Sequence, residues 1–171
     1  MILRVLPAEI YLDTSIFVSA IIEDAPHFQA CTAFCQNLIS ANTQVYFSQI
    51  VRVELLQALR RLATTRTNLT SAMRAQYRLD DWGSDVQVRR DWLELGITEF
   101  EVLVYRLRTA VELPWSLATW RASAQLMVQY GLQARDALHA STAQERGIHA
   151  LAAVDADYRR VPVLDFWLIR D

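Results

Sequence analysis

The sequence contains no lysine, because all 17 of its basic residues are arginine. This absence excludes enzymes that form a Schiff base through a lysine amine, phosphate-binding loops that end in lysine, and phosphotransfer pockets that need one. Arginine can still bind phosphate, since its planar guanidinium donates two hydrogen bonds to one oxyanion. The absence of lysine therefore excludes these lysine-dependent sites but not a substrate that carries phosphate.

Turn-forming residues are also scarce, with four glycines and four prolines among 171 residues. This scarcity favours long helices over a loop-rich β-sandwich. The composition is 53% hydrophobic and 21% charged, which excludes a disordered tail. The net charge of -2 excludes a polybasic nucleic-acid coat but leaves room for a local basic groove. At this length we expect one domain over residues 1–171.

The two cysteines, Cys31 and Cys35, lie one helical turn apart and are expected to be packed, unbridged thiols. A zinc site would need two more ligands, and the three histidines are scattered along the chain. Free thiols favour a reducing compartment. No segment approaches the roughly 18 apolar residues that span a bilayer, and the N-terminus does not resemble a secretion signal. We therefore expect a cytoplasmic protein with no membrane partner.

Short apolar strands alternate with helices along the chain, which predicts an α/β fold with a parallel sheet between helices. Strands are expected at 9–12, 45–47, 111–113, 150–154 and 163–166. Helices are expected at 14–22, about 27–40, 49–63, 116–130 and 133–146, and the more polar region 66–108 should also be helical.

Three aspartates follow predicted strands directly. Asp13 comes after the first strand and before a helix, and Asp155 and Asp157 come after the strand at 150–154. In parallel α/β folds the carboxyl ends of the strands form the edge where ligands bind. Each aspartate also has an ordinary explanation, because aspartate caps helices and favours turns. Taken singly, these residues leave a ligand site and a structural role both open.

Two further acids lie on predicted helices. Glu54 borders the apolar stripe of its helix, where an unpaired charge would be costly and either a metal ion or Arg61 could offset it. Asp136 opens an alanine-rich helix, a position that the helix dipole also favours for an acid. One turn later, His139 could be a second ligand, although a helical histidine beside Leu138 is more often packed in the core.

Taken together, four acids are predicted at one edge of one sheet: Asp13, Glu54, Asp136 and Asp155. Their mutual repulsion would be severe without a cation. Oxygen-only ligands select a hard ion, so the sequence predicts a site for Mg²⁺, with Mn²⁺ as an alternative.

Four segments carry a resemblance to a known family: IYLDTSIFV (10–18), SQIVRVELLQAL (48–59), LQARDALHASTAQERG (132–147) and LAAVDADYRRVPVLDFW (151–167). Their order and element types resemble the PIN domain, and specifically the VapC-like ribonuclease toxins of type II toxin–antitoxin systems. Two departures stand out. Ala153 occupies a position where the family often has Thr or Ser, and the long separation between Glu54 and Asp136 implies an enlarged helical hairpin at about 67–108.

The resemblance implies a PIN-like three-layer fold, with a short and mainly parallel central sheet flanked by helices. It also implies a Mg²⁺-dependent endoribonuclease that leaves 3′-hydroxyl and 5′-phosphate ends. Its catalytic acids would be Asp13, Glu54, Asp136 and Asp155, the first three holding the principal ion. Asp155 and Asp157 would bind the metal directly or through water.

Three more residues are implied in substrate binding. Thr14 or Ser15 at the helix start would orient a ligand or a phosphate, and Arg135 would contact the RNA backbone. The resemblance further implies a homodimer and a small antitoxin whose basic segment blocks the acidic pocket.

Other functions fit the sequence less well. A phosphatase with Asp13 as nucleophile would need a second acid two residues later, where Ser15 stands, and would usually need a lysine. A phosphorylated receiver module fails on the same missing lysine. A non-catalytic PIN-like module that binds RNA or protein would be expected to lose its acids, yet all four are present.

Overall fold

A computed structural model describes residues 5–64 and 86–171 of the chain. Within these ranges the elements follow in the order β1 (Glu9–Leu12), α1 (Thr14–Ile21), α2 (Phe28–Ser40), β2 (Gln44–Ser48), α3 (Gln49–Thr64), α4 (Val86–Arg106), β3 (Val111–Leu113), α5 (Leu117–Tyr130), α6 (Ala134–Glu145), β4 (Ala150–Ala153) and β5 (Asp165–Leu168). A single 3₁₀ turn, Asp157–Arg160, separates β4 from β5.

The five strands form one parallel sheet in the order β3-β2-β1-β4-β5. In its register Tyr11 of β1 lies between Tyr46 of β2 and Leu151 of β4. Because every strand points the same way, all carboxyl ends meet at one edge. The predicted α/β fold with a parallel, PIN-like three-layer arrangement is confirmed.

Side chains alternate across the sheet and build a separate core on each face. Ile10 and Leu12 of β1 face the core formed with helices α1 to α4, whereas Tyr11 faces the core formed with α5 and α6. The small residues Ala137, Ala140 and Ala143 of α6 are fully buried in the second core. They let α6 approach the sheet closely, which brings the first turn of that helix to the carboxyl edge of the strands.

Helices α5 and α6 begin or end at residues that typically cap helices. Ser116 caps α5 in a reciprocal capping box with Thr119, and Gly131 ends that helix in a left-handed conformation with φ of 65°. Gly147, with φ of 72°, follows the end of α6 in the same way. The observed ends of α5 and α6 agree with the predicted helix boundaries to within one residue.

The last strand begins two residues later than predicted, at Asp165 instead of residue 163. The backbone N–H of Leu164 donates to the carbonyl of Val161 at 3.1 Å, and Pro162 between them has no N–H to offer a sheet. The predicted strand at 163–166 therefore starts inside a turn.

The structure also bears on the predicted helical hairpin and on the two cysteines. Much of the predicted hairpin at 67–108 lies outside the described residues, while its described part is mainly helix α4, which packs against α1 and α3. Cys31 and Cys35 are buried and unbridged, as predicted, and burial raises their thiol pKa values to about 11 and about 12. Across the described helices, none is long and apolar enough to cross a membrane.

Candidate active site

A cavity of about 320 Å³ opens at the carboxyl edge of the sheet. It gathers the eight residues to which the resemblance assigns a site role, but not His139, which was considered as a further ligand: Asp13, Thr14, Ser15, Glu54, Arg135, Asp136, Asp155 and Asp157. Arg61, the suggested partner of Glu54, lines the same cavity. The parallel topology produces this convergence, because it brings the ends of β1 and β4 and the starts of α1 and α6 to one place.

Asp13 is both a helix cap and a cavity residue. Its Oδ1 accepts a 2.8 Å hydrogen bond from the backbone N–H of Ser15, which is the capping contact. Its Oδ2 accepts a 2.6 Å hydrogen bond from the hydroxyl of Tyr158. The two explanations left open by the sequence are therefore compatible, since each carboxylate oxygen keeps a second lone pair after accepting one bond.

Glu54 is buried, and its two oxygens have different surroundings. Oε2 accepts hydrogen bonds from Thr14 Oγ1 at 2.5 Å and from His139 Nε2 at 2.8 Å. Oε1 is buried without a hydrogen-bond partner and lies 3.6 Å from Arg135 Nε. Burial raises the pKa of Glu54, but the contacts with His139 and Thr14 outweigh burial and bring that pKa below its usual value.

His139 lies behind the cavity and is 0% exposed. Because a carboxylate only accepts, Nε2 must carry the proton shared with Glu54. On the other side of the ring, Nδ1 lies 2.8 Å from the Tyr11 hydroxyl, which itself donates to Ser48 Oγ at 2.7 Å. Burial lowers the pKa of His139, but the carboxylates of Asp13 and Glu54 outweigh burial and raise it. These contacts indicate that His139 is an imidazolium whose two N–H groups both have hydrogen-bond acceptors. His139 is therefore a packed residue and not a metal ligand.

Tyr158 is the second buried residue that holds an acid from behind. Its phenol donates to Asp13, and burial, followed by the negative charges of Asp13 and Asp136, raises its pKa well above the usual value. Its donor role is therefore fixed. No sequence pattern predicts a supporting role for Tyr158, Tyr11 or Ser48, although Tyr158 directly follows Asp157 in the last motif.

The acids on the other side of the cavity are more open to solvent. Burial, followed by repulsion from Asp13, raises the pKa of Asp136 to about 6. Asp155 is exposed, and its Oδ1 accepts a 3.2 Å bond from the backbone N–H of Asp157. Asp157 forms a 2.8 Å ion pair with Arg160. The turn chemistry considered for these two aspartates is therefore present, and both still line the cavity.

The polar residues implied in substrate binding have distinct positions. Thr14 is buried and uses its hydroxyl on Glu54, whereas Ser15 Oγ accepts a 3.2 Å bond from the backbone N–H of Val154. Arg135 is largely exposed, and its guanidinium lies beside Glu54 at the cavity wall. Arg135 is the charged residue of the three, and its exposed guanidinium is accessible to a phosphate.

The donor set fits a hard divalent cation. Carboxylate oxygens line the cavity, and the unpartnered Glu54 Oε1 is a buried acceptor that an ion would satisfy. In the ranges 5–64 and 86–171, no three His, Cys, Asp or Glu side chains already form a set that could hold a metal ion. Mg²⁺ retains several waters and binds through few carboxylates, so a partial set with water ligands suits it better than a closed cage.

Comparisons with known proteins bear on the fold and the family of the chain. None of the curated proteins matches the chain. Among solved structures, a chain in the crystal structure of VapBC2 from Rickettsia felis bound to a DNA fragment from their promoter has a similar fold. The TM-score is 0.61 at 17% sequence identity, over 94% of this chain and 98% of that one. The family model for the PIN domain matches residues 10–164. The chain therefore belongs to the PIN domain family.

Proposed function

We propose that this protein is a Mg²⁺-dependent endoribonuclease that hydrolyses RNA phosphodiester bonds, and that Mn²⁺ can replace Mg²⁺. The family supports the reaction class, because PIN domains are in general nucleases and typically use divalent metals. The observation that carries the proposal is the buried Oε1 of Glu54, which accepts no hydrogen bond and lies 3.6 Å from Arg135 Nε, in a cavity lined by four further acids. A site with this excess of negative charge needs a cation before it can accept a phosphate.

Asp13, Glu54 and Asp136 would hold the principal ion, with Asp155 and Asp157 binding directly or through water. A divalent ion at such a site lowers the pKa of a water molecule and offsets the charge that develops on a phosphate. The protein's own residues prepare for this role. Tyr158 and the helix cap fix Asp13, while Thr14 and His139 fix one oxygen of Glu54.

The arginines at the cavity would contact the substrate. Arg135 and Arg61 line the cavity, and Arg135 is exposed enough to exchange its contact with Glu54 for a phosphate of the RNA backbone. Its guanidinium can bind two phosphate oxygens at once. Ser15, at the start of α1, lies where the helix dipole favours a negative group.

We further propose that the protein is the toxin component of a type II toxin–antitoxin system and acts in the cytoplasm. The acidic cavity is complementary to a basic segment, and the contact between Arg135 and Glu54 illustrates how an arginine can pair with it. An antitoxin that inserts an arginine there would compete with both the ion and the RNA. Co-expression with a candidate antitoxin should protect RNA in cells, and an antitoxin without its basic residues should fail to do so.

A homodimer is the proposed oligomeric state. Large apolar side chains are exposed on the surface, among them Trp115, Leu117 and Trp120, which line one shallow cavity of about 380 Å³. Light scattering on the purified chain tests this proposal, and a monomer at all concentrations would contradict it.

The central test is RNA cleavage by the purified protein. The wild type should cleave with Mg²⁺ or Mn²⁺, stop with EDTA, and leave 5′-phosphate ends. Asp13→Asn should abolish cleavage and keep the fold, whereas Glu9→Gln, which removes an exposed charge at the start of β1, should remain active. Millimolar Mn²⁺ should also raise the melting temperature of the wild type, because an ion that binds only the folded state stabilises it. A fully active Asp13→Asn variant, or a folded wild type that binds RNA without cutting it, would overturn the proposal.

A further inference from the structure

A chain of buried polar side chains runs behind the cavity. It begins at Ser48 on β2, passes through Tyr11 on β1 and His139 on α6, and ends at Glu54 on α3. The successive contacts measure 2.7, 2.8 and 2.8 Å. Ser48, Tyr11 and His139 are each 0% exposed, and none of them lines the cavity. This series of hydrogen-bonded side chains therefore ends at Glu54 in the cavity wall, and its other members do not face the cavity.

The hydrogen bond of His139 falls on one oxygen of Glu54, at 2.8 Å, while Oδ2 of Asp13 lies further from Nε2, at 3.5 Å. Oε2 receives the N–H of His139 and the hydroxyl of Thr14, whereas Oε1 receives no hydrogen bond. Rotation of the carboxylate would break both bonds to Oε2. The imidazole cannot easily follow such a rotation, because Tyr11 holds Nδ1 on the opposite side of the ring. The two oxygens of Glu54 are therefore not equivalent.

We propose that His139 is a positioning residue that holds Oε2 of Glu54 and leaves Oε1 as the oxygen offered to the divalent ion. Tyr11, supported by Ser48, keeps the imidazole in the required orientation. This inference rests on the proposed metal site. It assigns no contact between His139 and substrate or ion, because the ring is fully buried and both nitrogens have protein partners.

A purely structural role would not require this arrangement. Apolar side chains fill a core without needing hydrogen-bond partners, and a buried polar group adds a desolvation cost that must be offset. His139 is placed among alanines on α6, yet it reaches residues on β1 and α3 that are distant in sequence. Groups that orient a metal ligand commonly matter for metal affinity by about 10- to 100-fold.

The test compares two substitutions of the same residue. His139→Leu fills much of the space but donates no hydrogen bond, whereas the amide of His139→Gln can donate from near the position of Nε2. We expect His139→Leu to weaken Mn²⁺ binding about tenfold by calorimetry, and His139→Gln to stay within about threefold of the wild type. If only packing matters, both variants should bind Mn²⁺ like the wild type, whatever their stability.

A double-mutant cycle then asks whether His139 acts through Glu54. In a Glu54→Gln background, His139→Leu should change the Mn²⁺ dissociation constant by less than about twofold, because the oriented carboxylate is already absent. An equal change in both backgrounds would overturn the inference, as would tighter Mn²⁺ binding by His139→Leu.

A milder variant covers the case in which His139→Leu does not fold. Tyr11→Phe keeps the buried ring and removes only the hydroxyl that holds Nδ1, and Tyr46→Phe is its matched control in the same sheet row on β2. Tyr11→Phe acts one contact further from Glu54 than His139, so it should weaken Mn²⁺ binding by about fivefold, below the roughly 10- to 100-fold range of groups that contact a metal ligand directly, and Tyr46→Phe should not. If the wild type binds no Mn²⁺, the proposed function fails. If the wild type binds Mn²⁺ and the folded Tyr11 and His139 variants bind it equally well, this inference alone fails.

Discussion

The two walls of the cavity differ in how firmly their acids are held. The inner wall, Asp13 and Glu54, is buried, and its carboxylates accept hydrogen bonds from a tyrosine, a histidine, a threonine and a helix start. The outer wall, Asp136, Asp155 and Asp157, is more open to solvent. Oriented donors favour the ionised form of an acid, whereas burial near like charges favours the protonated form.

This difference shows two ways in which the fold offsets the repulsion among its clustered acids. On the inner wall, donors lower the pKa of Glu54 despite its burial. On the outer wall, burial and repulsion from Asp13 raise the pKa of Asp136 to about 6. The inner wall is therefore preorganised, and the outer wall is expected to respond to pH.

The largest expected effect separates the two walls in catalysis. Glu54→Gln should lower RNA cleavage by roughly 10²- to 10⁴-fold, because several kcal/mol of ion-dependent stabilisation would be lost. Asp155→Asn, at an exposed position, should lower it by less than about tenfold. Single-turnover rates at saturating Mg²⁺ provide the measurement, and equal losses in the two variants would break the comparison.

The next effect concerns the brace behind Asp13. Tyr158→Phe removes a fully buried hydroxyl that donates to a carboxylate, so the free energy of unfolding at pH 7 should fall by about 1.5–3 kcal/mol. Urea denaturation of the metal-free protein measures this change. Tyr46→Phe, half-buried on the neighbouring strand, serves as the control. A Tyr158→Phe variant as stable as that control would show that the inner wall does not depend on its donors.

Asp136→Asn should stabilise the metal-free protein at pH 8. The folded-state pKa of Asp136 is about 6 against an ordinary 3.8, so the folded chain binds this proton more tightly than the unfolded chain. The contribution to stability is fully present below pH 3.8 and is lost as the pH rises through about 6. Asparagine at this position cannot ionise. The free energy of unfolding of the variant should therefore exceed that of the wild type by about 1–3 kcal/mol at pH 8, and the difference should vanish below about pH 4.

Thermal unfolding at pH 4 and pH 8 checks both halves of the expectation for Asp136→Asn. Saturating Mn²⁺ should stabilise the wild type more than this variant, since the variant has lost a ligand. A metal-free Asp136→Asn protein that is less stable than the wild type at pH 8 would contradict the assignment of repulsion to the outer wall.

The smallest effect is expected at Arg135, which is largely exposed beside Glu54. In an Asp13→Asn background that leaves RNA intact, Arg135→Gln should weaken RNA binding a few-fold, about 1 kcal/mol, and lower the salt dependence by about one counterion. Arg121→Gln on α5, which does not line the cavity, is the matched control. Equal salt slopes for the two variants would exclude a phosphate contact at Arg135.

Much of the fold and the acids of the site could be predicted from the sequence. Alternating strands and helices predict the parallel sheet, and acids that follow strands, such as Asp13 and Asp155, must lie at its carboxyl edge. For Glu54 the sequence offered a ligand role or a pair with Arg61, whereas the contacts that the structure shows are with His139 and Arg135. Periodicity locates Glu54 beside the core, but it does not name partners that come from another helix.

The supporting residues could not be predicted, for a physical reason. Tyr11 and His139 are 128 residues apart, and a buried tyrosine or histidine has the same sequence pattern as any core residue. Only the packed structure shows where the polar end of such a side chain lies. The strand predicted at 163–166 failed differently, because an apolar run beside Pro162 does not show where a turn ends and pairing begins.

The hydrogen bond between Tyr158 and Asp13 joins residues 145 positions apart, across the central strands β1 and β4. During synthesis on the ribosome, a chain that has not yet exposed β4 and the turn after it can complete neither the sheet nor the clasp on Asp13. The order of translation thus delays assembly of the acid cluster until most of the polypeptide has emerged.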